Sequence, residues 1–173
     1  LLALKGFKID LWVFEKEVKE QIESSRENKV FLPGVSLSRN IFPSNNLAGV
    51  VSGKDLVLVV VPSHIMRETG KKIQGDISPE TIIVSASKGI ENKTHLTMSG
   101  VLMEILHDTP EDSFAVLSGP SFAREVAGKI PTVVASASKD QNVAGFVQHV
   151  FATPYFRVYT NNDMVGVELA GAV

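Results

Sequence analysis

Cysteine is absent from the 173 residues of this chain. The chain can therefore form neither a disulfide nor a thiolate nucleophile, which fits a reducing compartment and predicts a cytoplasmic protein. The sequence also lacks a strong excess of charge of one sign, because 17 Lys and Arg are nearly balanced by 19 Asp and Glu, for a net charge of −2. Neither sign forms a long block of like charges. This pattern argues against a nucleic-acid-binding or membrane-binding arm.

Long hydrophobic runs are also missing. The longest, from Leu56 to Val61, is far shorter than the roughly 20 residues that span a bilayer. No basic segment precedes an apolar stretch in the manner of a signal peptide. With 44% hydrophobic and 21% charged residues, the composition predicts one globular domain with a sizeable core and no nucleic-acid or membrane partner.

Both ends of the sequence fall within predicted helices. The opening LLALKGF has no initiator methionine and is typical of the last turn of a helix that stops at Gly6. The closing GVELAGAV is typical of the first turns of a small-residue helix, without a cap or breaker before Val173. We therefore expect the sequence to be cut from a longer protein.

Strand-forming runs alternate with helix-forming segments along the chain. The predicted strands cover residues 8–14, 35–42, 56–61, 81–85, 113–117, 132–137 and 155–160. The predicted helices cover residues 15–28, 45–53, 63–72, 94–107, 121–127 and 141–151, with Ser63 as the expected N-cap of the third. This alternation predicts an α/β fold with a doubly wound, mostly parallel sheet that has room for antiparallel strands near its end.

Two neighbouring strand ends carry residues suited to an anionic ligand. Ligands of open α/β sheets bind beyond the carboxyl ends of the strands. Lys88 follows strand 81–85, where a cation attracts a phosphate or a substrate oxygen. Gly119 follows the next strand and permits close approach of the backbone to a ligand, and Pro120 leads into a helix start. A solvated lysine is the alternative for Lys88, but the two loops together predict a site.

Two other strand ends suit a dinucleotide. Glu15 follows the first strand, where its carboxylate could accept hydrogen bonds from an adenosine ribose and would repel a 2′-phosphate, which favours NAD over NADP. It could equally be a first-turn acid that complements the helix dipole. Pro62 stiffens the turn into a helix start that could face a cofactor, or it could simply shape that turn. The four histidines show no metal-ligand spacing, so no metal site is predicted.

The G-x-G-x-x-G fingerprint of dinucleotide-binding domains is absent from the sequence. Either the fold binds no dinucleotide, or the fingerprint and its strand lie upstream of Leu1. The severed helix LLALKGF favours the second explanation. In the strand order 3-2-1-4-5-6 the first strand is central, so its loss would leave a gap between the strands at 8–14 and 56–61. We expect the isolated chain to fold poorly, because exposed strand edges promote aggregation, and to be inactive.

Six segments resemble the bacterial-type NAD(P)-dependent glycerol-3-phosphate dehydrogenases. In family order they are LLALKGFKIDLW, FLPGVSL, DLVLVVVPSH, VSASKGIE, AVLSGPSFAREVA and FATPYFRVYTNNDMVGVELAGA. The resemblance implies a Rossmann-like sheet that lacks its first strand. It also implies a partial dinucleotide-binding domain over residues 1–163, with residues 164–173 beginning the helix that leads into an absent, helical C-terminal domain.

The same resemblance implies an activity and residue roles. The family reversibly transfers a hydride between NAD(P)H and dihydroxyacetone phosphate, giving sn-glycerol 3-phosphate for phospholipid synthesis, and the parent protein would be a homodimer. Lys88 would contact both the nicotinamide end of the cofactor and the substrate as a catalytic residue. Gly119 and Ser121 would lie at the substrate, and Ala123 at the cofactor. The lysine that exchanges the proton in this family would follow Val173.

Three alternatives remain open from the sequence. The chain could come from another Rossmann-type reductase, of the 6-phosphogluconate or ketopantoate type, although SASKGIE beside GPSF argues against it. It could be a noncatalytic nucleotide-binding or scaffolding module that has lost its loop and base. It could also be a structural α/β domain without a ligand, which the paired loops at Lys88 and Gly119 disfavour.

Overall fold

The strands form two sheets, one of two strands and one of five. The computed structural model of the protein describes residues 1–172. Its strands are β1 Ile9–Trp12, β2 Ile41–Ser44, β3 Leu56–Val59, β4 Ile82–Ser85, β5 Phe114–Ser118, β6 Thr132–Ser138 and β7 Phe156–Asn161. Strands β1 and β2 pair in parallel, and the larger sheet has the order β3-β4-β5-β6-β7. Only its β5–β6 pair is antiparallel, so the predicted mostly parallel sheet with an antiparallel element near its end is confirmed.

Helices connect most of the strands. They are α1 Lys16–Ser25, α2 Leu47–Val51, α3 Met66–Ile73, α4 Met98–Ile105, α5 Ala123–Ala127, α6 Gln141–Phe151 and α7 Met164–Ala172, with short 3-10 turns at Leu2–Lys5, Ser63–Ile65 and Glu111–Ser113. Helix α7 confirms the predicted small-residue helix, except for Val173, which lies outside the described residues. Within residues 1–172, no helix combines the length and apolarity needed to cross a membrane.

The sheet is interrupted between β1 and β3. Among the described residues β1 pairs with β2 alone and β3 with β4 alone, so each has one edge without a strand partner. Asp10 on β1 and Lys54, two residues before β3, form an ion pair that links the two sheets. The interruption lies where the sequence predicted a missing first strand.

Alternate residues of the larger sheet point to opposite faces and build two cores. Ile83 of β4 belongs to the core under α2, α3, α4 and α7, whereas Val84 belongs to the core under α6. Strands β4 and β5 are therefore covered on both faces, as continuous apolar strands predict. The same prediction is wrong for the edge strand β3, where Val57 and Val59 are buried but Leu58 is 37% exposed. A third, smaller cluster contains Val18 and Ile22 of α1, the pair that the sequence placed on one helix face.

The predicted strand over residues 35–42 is wrong in its first six residues, because β2 begins only at Ile41. Residues 38–40 instead form a loop that is held by side-chain hydrogen bonds. The Asn40 amide donates to the Ala3 carbonyl oxygen at 3.1 Å, and the Ser38 hydroxyl accepts the Asn40 N–H at 3.2 Å. Such local bonds compete with strand pairing.

Two helix starts also differ from the prediction. The Ser63 side chain makes no capping bond, because Ser63 opens a 3-10 turn and α3 begins only at Met66. Helix α4 begins at Met98, four residues later than predicted, where the Thr97 hydroxyl accepts the Gly100 N–H at 3.3 Å. In both cases the residues before the helix form a turn, at Ser63–Ile65 in the first and closed by the bridge between Ile90 and Thr97 in the second.

Lys5 caps the carboxyl end of α6. Its ammonium donates hydrogen bonds to the carbonyl oxygens of His149, Val150 and Ala152 at 2.8, 2.7 and 2.8 Å. The last carbonyls of a helix lack partners within the helix and carry its negative dipole end, so a cation stabilises them.

We expect Lys5→Met to lower the free energy of unfolding by about 1 kcal/mol. Lys8→Met is the matched control, because no described residue hydrogen-bonds to the Lys8 side chain. Urea denaturation of the full-length protein, as the wild type and with each substitution, measures the difference. A loss in Lys5→Met no greater than in Lys8→Met would contradict the capping role.

Candidate functional site

The loops after β4 and β5 meet at one edge of the larger sheet. Lys88 lies three residues beyond β4, and Gly119 directly follows β5. The Lys88 ammonium donates a hydrogen bond to the Gly119 carbonyl oxygen at 3.0 Å. The two loops that the sequence singled out are thus in contact, because the carboxyl ends of neighbouring parallel strands share an edge.

Gly119 is required where β5 approaches β6. A Cβ atom at this position would lie 2.7 Å from the Val133 carbonyl oxygen and 2.9 Å from the Val134 Cα. The Gly119 carbonyl oxygen also accepts the Ser121 N–H at 2.9 Å and the Ser121 hydroxyl at 3.4 Å. The predicted substrate residues Lys88, Gly119 and Ser121 therefore converge on one carbonyl group.

The loop that carries Lys88 is fastened to the loop after β3. The Ser87 hydroxyl accepts the Val61 N–H at 2.9 Å, and the Ala86 N–H donates to the Val59 carbonyl oxygen at 2.9 Å. Gly89 has a φ of +122°, and a Cβ there would lie 3.0 Å from the Ser63 side chain. The lack of a side chain at Gly89 therefore lets the loop that carries Lys88 pack against the turn at Ser63.

A cleft of about 470 Å³ opens beside Lys88. The turn after β5 lines one part of it, and Val167, Ala170 and Gly171 of α7 line another; we call these three residues the α7 wall. Lys88 is the one charged residue among the described residues that line the cleft. Its ammonium lies 5.8 Å from the centre of the exposed Phe122 ring, within range of a cation–π interaction. The cleft therefore suits a small, negatively charged molecule.

The α7 wall and Phe122 were missed as site residues by the sequence analysis. A Cβ at Gly171 would lie 2.1 Å from the Ser118 hydroxyl oxygen, so the small residue lets α7 approach the end of β5. The small-residue composition of GVELAGA was the available signal for this close packing. Phe122 lay within the GPSF motif, but its position over Lys88 depends on the tertiary fold.

The other predicted cofactor residues lie outside this cleft. Glu15, Pro62 and Ala123 are exposed and follow the carboxyl ends of β1, β3 and β5. Glu15 occupies the N-cap position of α1, yet its carboxylate accepts no hydrogen bond from the helix. The helix-capping alternative for Glu15 is therefore not seen, and its ribose role stays a prediction. Within residues 1–172 no cluster of three or more His, Asp or Glu side chains could hold a metal ion.

Arg67 ties α3 to the segment that follows Lys88. Its Nε and Nη2 atoms donate to the two carboxylate oxygens of Glu91 at 2.8 and 2.7 Å, and its Nη1 donates to Glu104 at 2.7 Å. The hydrogen bonds from Arg67, and another from the Thr94 hydroxyl, lower the pKa of Glu91 to about 2, and the same carboxylates raise the pKa of Arg67. The segment after Lys88 is thereby anchored to two helices.

We expect this ion pair to make stability depend on acidity. Because the pKa of Glu91 falls from an ordinary 4.5 to about 2, its contribution is complete above pH 4.5 and is lost as the pH falls towards 2. Urea denaturation should show the wild type more stable than Glu91→Gln above pH 4.5, with a difference that shrinks on acidification. Glu17→Gln, an exposed change in α1, should stay within about 0.5 kcal/mol of the wild type. A gap between the wild type and Glu91→Gln that does not change with pH would contradict the pairing.

A sequence profile and several known proteins that resemble this chain all carry the same family name. Residues 1–144 match the sequence profile of the NAD-dependent glycerol-3-phosphate dehydrogenase N-terminus. The chain is 48% identical over 172 residues to a glycerol-3-phosphate dehydrogenase [NAD(P)+] of Syntrophobacter fumaroxidans, covering 99% of this chain and 51% of that protein. The corresponding protein of Geobacter sulfurreducens is 45% identical over 173 residues, covering 100% of this chain and 52% of that protein.

A solved structure shares the fold. The glycerol-3-phosphate dehydrogenase of Coxiella burnetii superimposes with a TM-score of 0.90 at 32% identity, over 98% of this chain and 51% of that one. The chain spans about half the length of the curated relatives it matches.

Proposed function

The chain belongs to the family of NAD-dependent glycerol-3-phosphate dehydrogenase N-terminal domains, and we propose that it forms the dinucleotide-binding half of such an enzyme. The full-length protein that contains it would interconvert dihydroxyacetone phosphate and sn-glycerol 3-phosphate with NAD(P)H. The observation that carries this proposal is the Lys88 ammonium, held 3.0 Å from the Gly119 carbonyl oxygen in a cleft that shows no other charged lining residue within residues 1–172.

Lys88 would act on the ketone of the substrate. An ammonium group has three N–H donors, so Lys88 can keep its bond to Gly119 and still donate to the ketone oxygen. A donor placed there polarises the carbonyl group and stabilises the negative charge that develops on its oxygen during reduction. Gly119 and Ser121 would hold the loop against the substrate and orient it.

The dinucleotide, when bound, supplies the hydride. Glu15 would hold the adenosine ribose through its free carboxylate, and Pro62, Lys88 and Ala123 would contact the remainder of the cofactor. Because a carboxylate repels a 2′-phosphate, we expect kcat/KM to be higher for NADH than for NADPH, with NADP(H) as the slower cofactor. Glu15→Gln should lower the ratio of kcat/KM for NADH to kcat/KM for NADPH. An unchanged ratio would contradict the role of Glu15.

The wider organisation is also part of the proposal. Residues 1–163 would form the dinucleotide-binding part, and residues 164–173 would begin the helix that leads into a C-terminal substrate domain. The full-length protein would be a cytoplasmic homodimer that acts on a small molecule.

The test uses the full-length protein that contains this chain. Oxidation of NADH is followed with dihydroxyacetone phosphate, and then with unphosphorylated dihydroxyacetone and with ketopantoate. Turnover with dihydroxyacetone phosphate, and far less with the other two ketones, is the expected result. Turnover with ketopantoate instead would favour the related reductase. A folded protein that binds NADH but reduces none of the three would support a noncatalytic module.

A further inference from the structure

Glu168 is a buried carboxylate for which the proposed reaction has no use. It lies on α7 and is only 5% exposed, although glutamate is almost never buried without a partner. The Ser99 N–H donates to its Oε1 at 2.9 Å, and the Ser99 hydroxyl donates to its Oε2. Among the described residues no lysine or arginine forms an ion pair with it.

The partner of Glu168 is the amino end of α4. Ser99 is the second residue of that helix, where backbone N–H groups lack partners within the helix and the dipole favours an anion. Thr97 already caps the Gly100 N–H, and Glu168 takes the N–H of Ser99. The negative charge of Glu168 is therefore compensated by a helix end from a distant part of the chain.

Apart from Glu168, α7 is held by apolar contacts and by the close approach of Gly171 to Ser118. Of its nine residues only Met164 and Glu168 are buried, and four of the nine are glycine or alanine. Apolar contacts such as those of Met164 have no preferred direction, whereas two hydrogen bonds to one carboxylate fix both rotation and sliding. A buried charge contributes less to stability than a well-packed apolar residue would. What Glu168 adds over an apolar residue is therefore orientation.

The pair joins two sides of the cleft. Val167 and Gly171 of the α7 wall lie one residue and three residues from Glu168 on the same helix. Ser99 lies near the end of the segment that follows Lys88, which closes on itself through the bridge between Ile90 and Thr97. The bonds between Glu168 and Ser99 thus connect the α7 wall to the segment that carries Lys88.

We propose that Glu168 is a positioning residue, which holds the α7 wall at a fixed distance from Lys88 by binding Ser99 at the amino end of α4. This inference rests on the proposed function, because it assigns Glu168 to the substrate cleft of that reaction. It places no contact between Glu168 and the substrate, so its effect must pass through α7.

The experiment measures steady-state kinetics of the full-length protein in the Glu168→Gln and Ser99→Ala variants. Glutamine keeps the shape of the side chain but removes its charge and replaces one acceptor with a donor. In Glu168→Gln we expect kcat/KM for dihydroxyacetone phosphate to fall about tenfold, the size of one charge-assisted hydrogen bond. The KM for this substrate should rise while the KM for NADH stays within about twofold.

Ser99→Ala removes one hydroxyl group and keeps the carboxylate, so it remains informative if Glu168→Gln does not fold. It should shift the same KM in the same direction by a smaller factor. In the double variant the KM for dihydroxyacetone phosphate should rise by less than the product of the two single-variant factors, because both changes break the same contact. Val101→Ala, a truncation in the buried face of α4, is the control for lost stability without loss of this contact.

The outcomes separate the two proposals. A rise in KM for dihydroxyacetone phosphate in both variants, but not in Val101→Ala, supports the positioning role. Variants that lose thermal stability like Val101→Ala and keep the wild-type KM would overturn it while leaving the proposed function intact. A wild-type protein without turnover would instead overturn the proposed function, and the positioning role would fall with it.

Discussion

Replacing Lys88 with methionine should lower kcat for the reduction of dihydroxyacetone phosphate by about a hundredfold to a thousandfold. Methionine keeps much of the length of the side chain but removes the positive charge and all three donors. Among the described residues that line the cleft no charged group then remains, so the strongest electrostatic stabilisation of a developing alkoxide is lost. The measurement is steady-state turnover of the full-length protein under saturating NADH.

Two further variants sharpen this prediction. Lys72→Met removes an exposed charge from α3, away from the residues that line the cleft, and should retain wild-type turnover. Lys88→Arg keeps the charge but not the compact ammonium geometry, so it should recover only part of the lost rate. If Lys88→Met and Lys72→Met had the same kcat, the proposed catalytic role of Lys88 would be contradicted.

Gly119→Ala should lower the free energy of unfolding by about 1–3 kcal/mol, the usual cost of overpacking. The added Cβ would meet the backbone of β6 at 2.7 and 2.9 Å, and backbone atoms cannot rotate away as a flexible side chain can. Strands β5 and β6 must separate, which also displaces the carbonyl group that orients Lys88 and Ser121. We therefore expect turnover to fall together with stability.

Gly145→Ala is the matched control. Gly145 lies within α6, and a Cβ there would meet no atom within 4 Å. The same chemical change should therefore raise the free energy of unfolding by about 0.4–1 kcal/mol, because alanine restricts the unfolded chain. Urea denaturation of the two variants should give shifts of opposite sign. Equal shifts would show that Gly119 is not packed against β6.

The elements that sequence predicted well are those whose signals are local. The bounds predicted for α6 match the structure, because an acidic cap precedes its apolar pattern and its Asp140 side chain accepts the Asn142 N–H. The continuous apolar run from Leu56 likewise predicted β3, but not its half-exposed state, because β3 lies at the edge of the larger sheet and Leu58 is exposed. The contact between Lys88 and Gly119 was predictable too, since adjacent parallel strands end at a common edge.

The failures have tertiary causes. Residues 35–40 have strand-forming composition, but side chains at Ser38 and Asn40 bind the backbone and hold a loop there. Residues 94–97 suit a helix, yet Arg67 and Thr94 both bind Glu91 and fix the segment as a turn. Sequence patterns predict neither set of contacts. Some of the partners are distant in the chain, and the local side-chain bonds compete with the strand or helix that the pattern favours.

The α7 wall and Glu168 were beyond sequence reasoning for a similar reason. A glutamate between valine and leucine in a small-residue helix gives no sign that it is buried. Its partner Ser99 is 69 residues away, and the pairing emerges only when α4 and α7 pack on the same face of the sheet. The meeting of two strand-end loops can thus be predicted from sequence, whereas a contact between two helices distant in the chain cannot.

Isotope transfer tests the proposed reaction most directly. The full-length protein is incubated with dihydroxyacetone phosphate and NADH that carries deuterium at the transferring position of the nicotinamide ring, and the product is examined by mass spectrometry and NMR. We predict sn-glycerol 3-phosphate with deuterium on carbon 2, the former ketone carbon, formed at a rate that falls about a hundredfold or more in Lys88→Met. A folded protein that binds NADH but yields no labelled sn-glycerol 3-phosphate would contradict the proposed function.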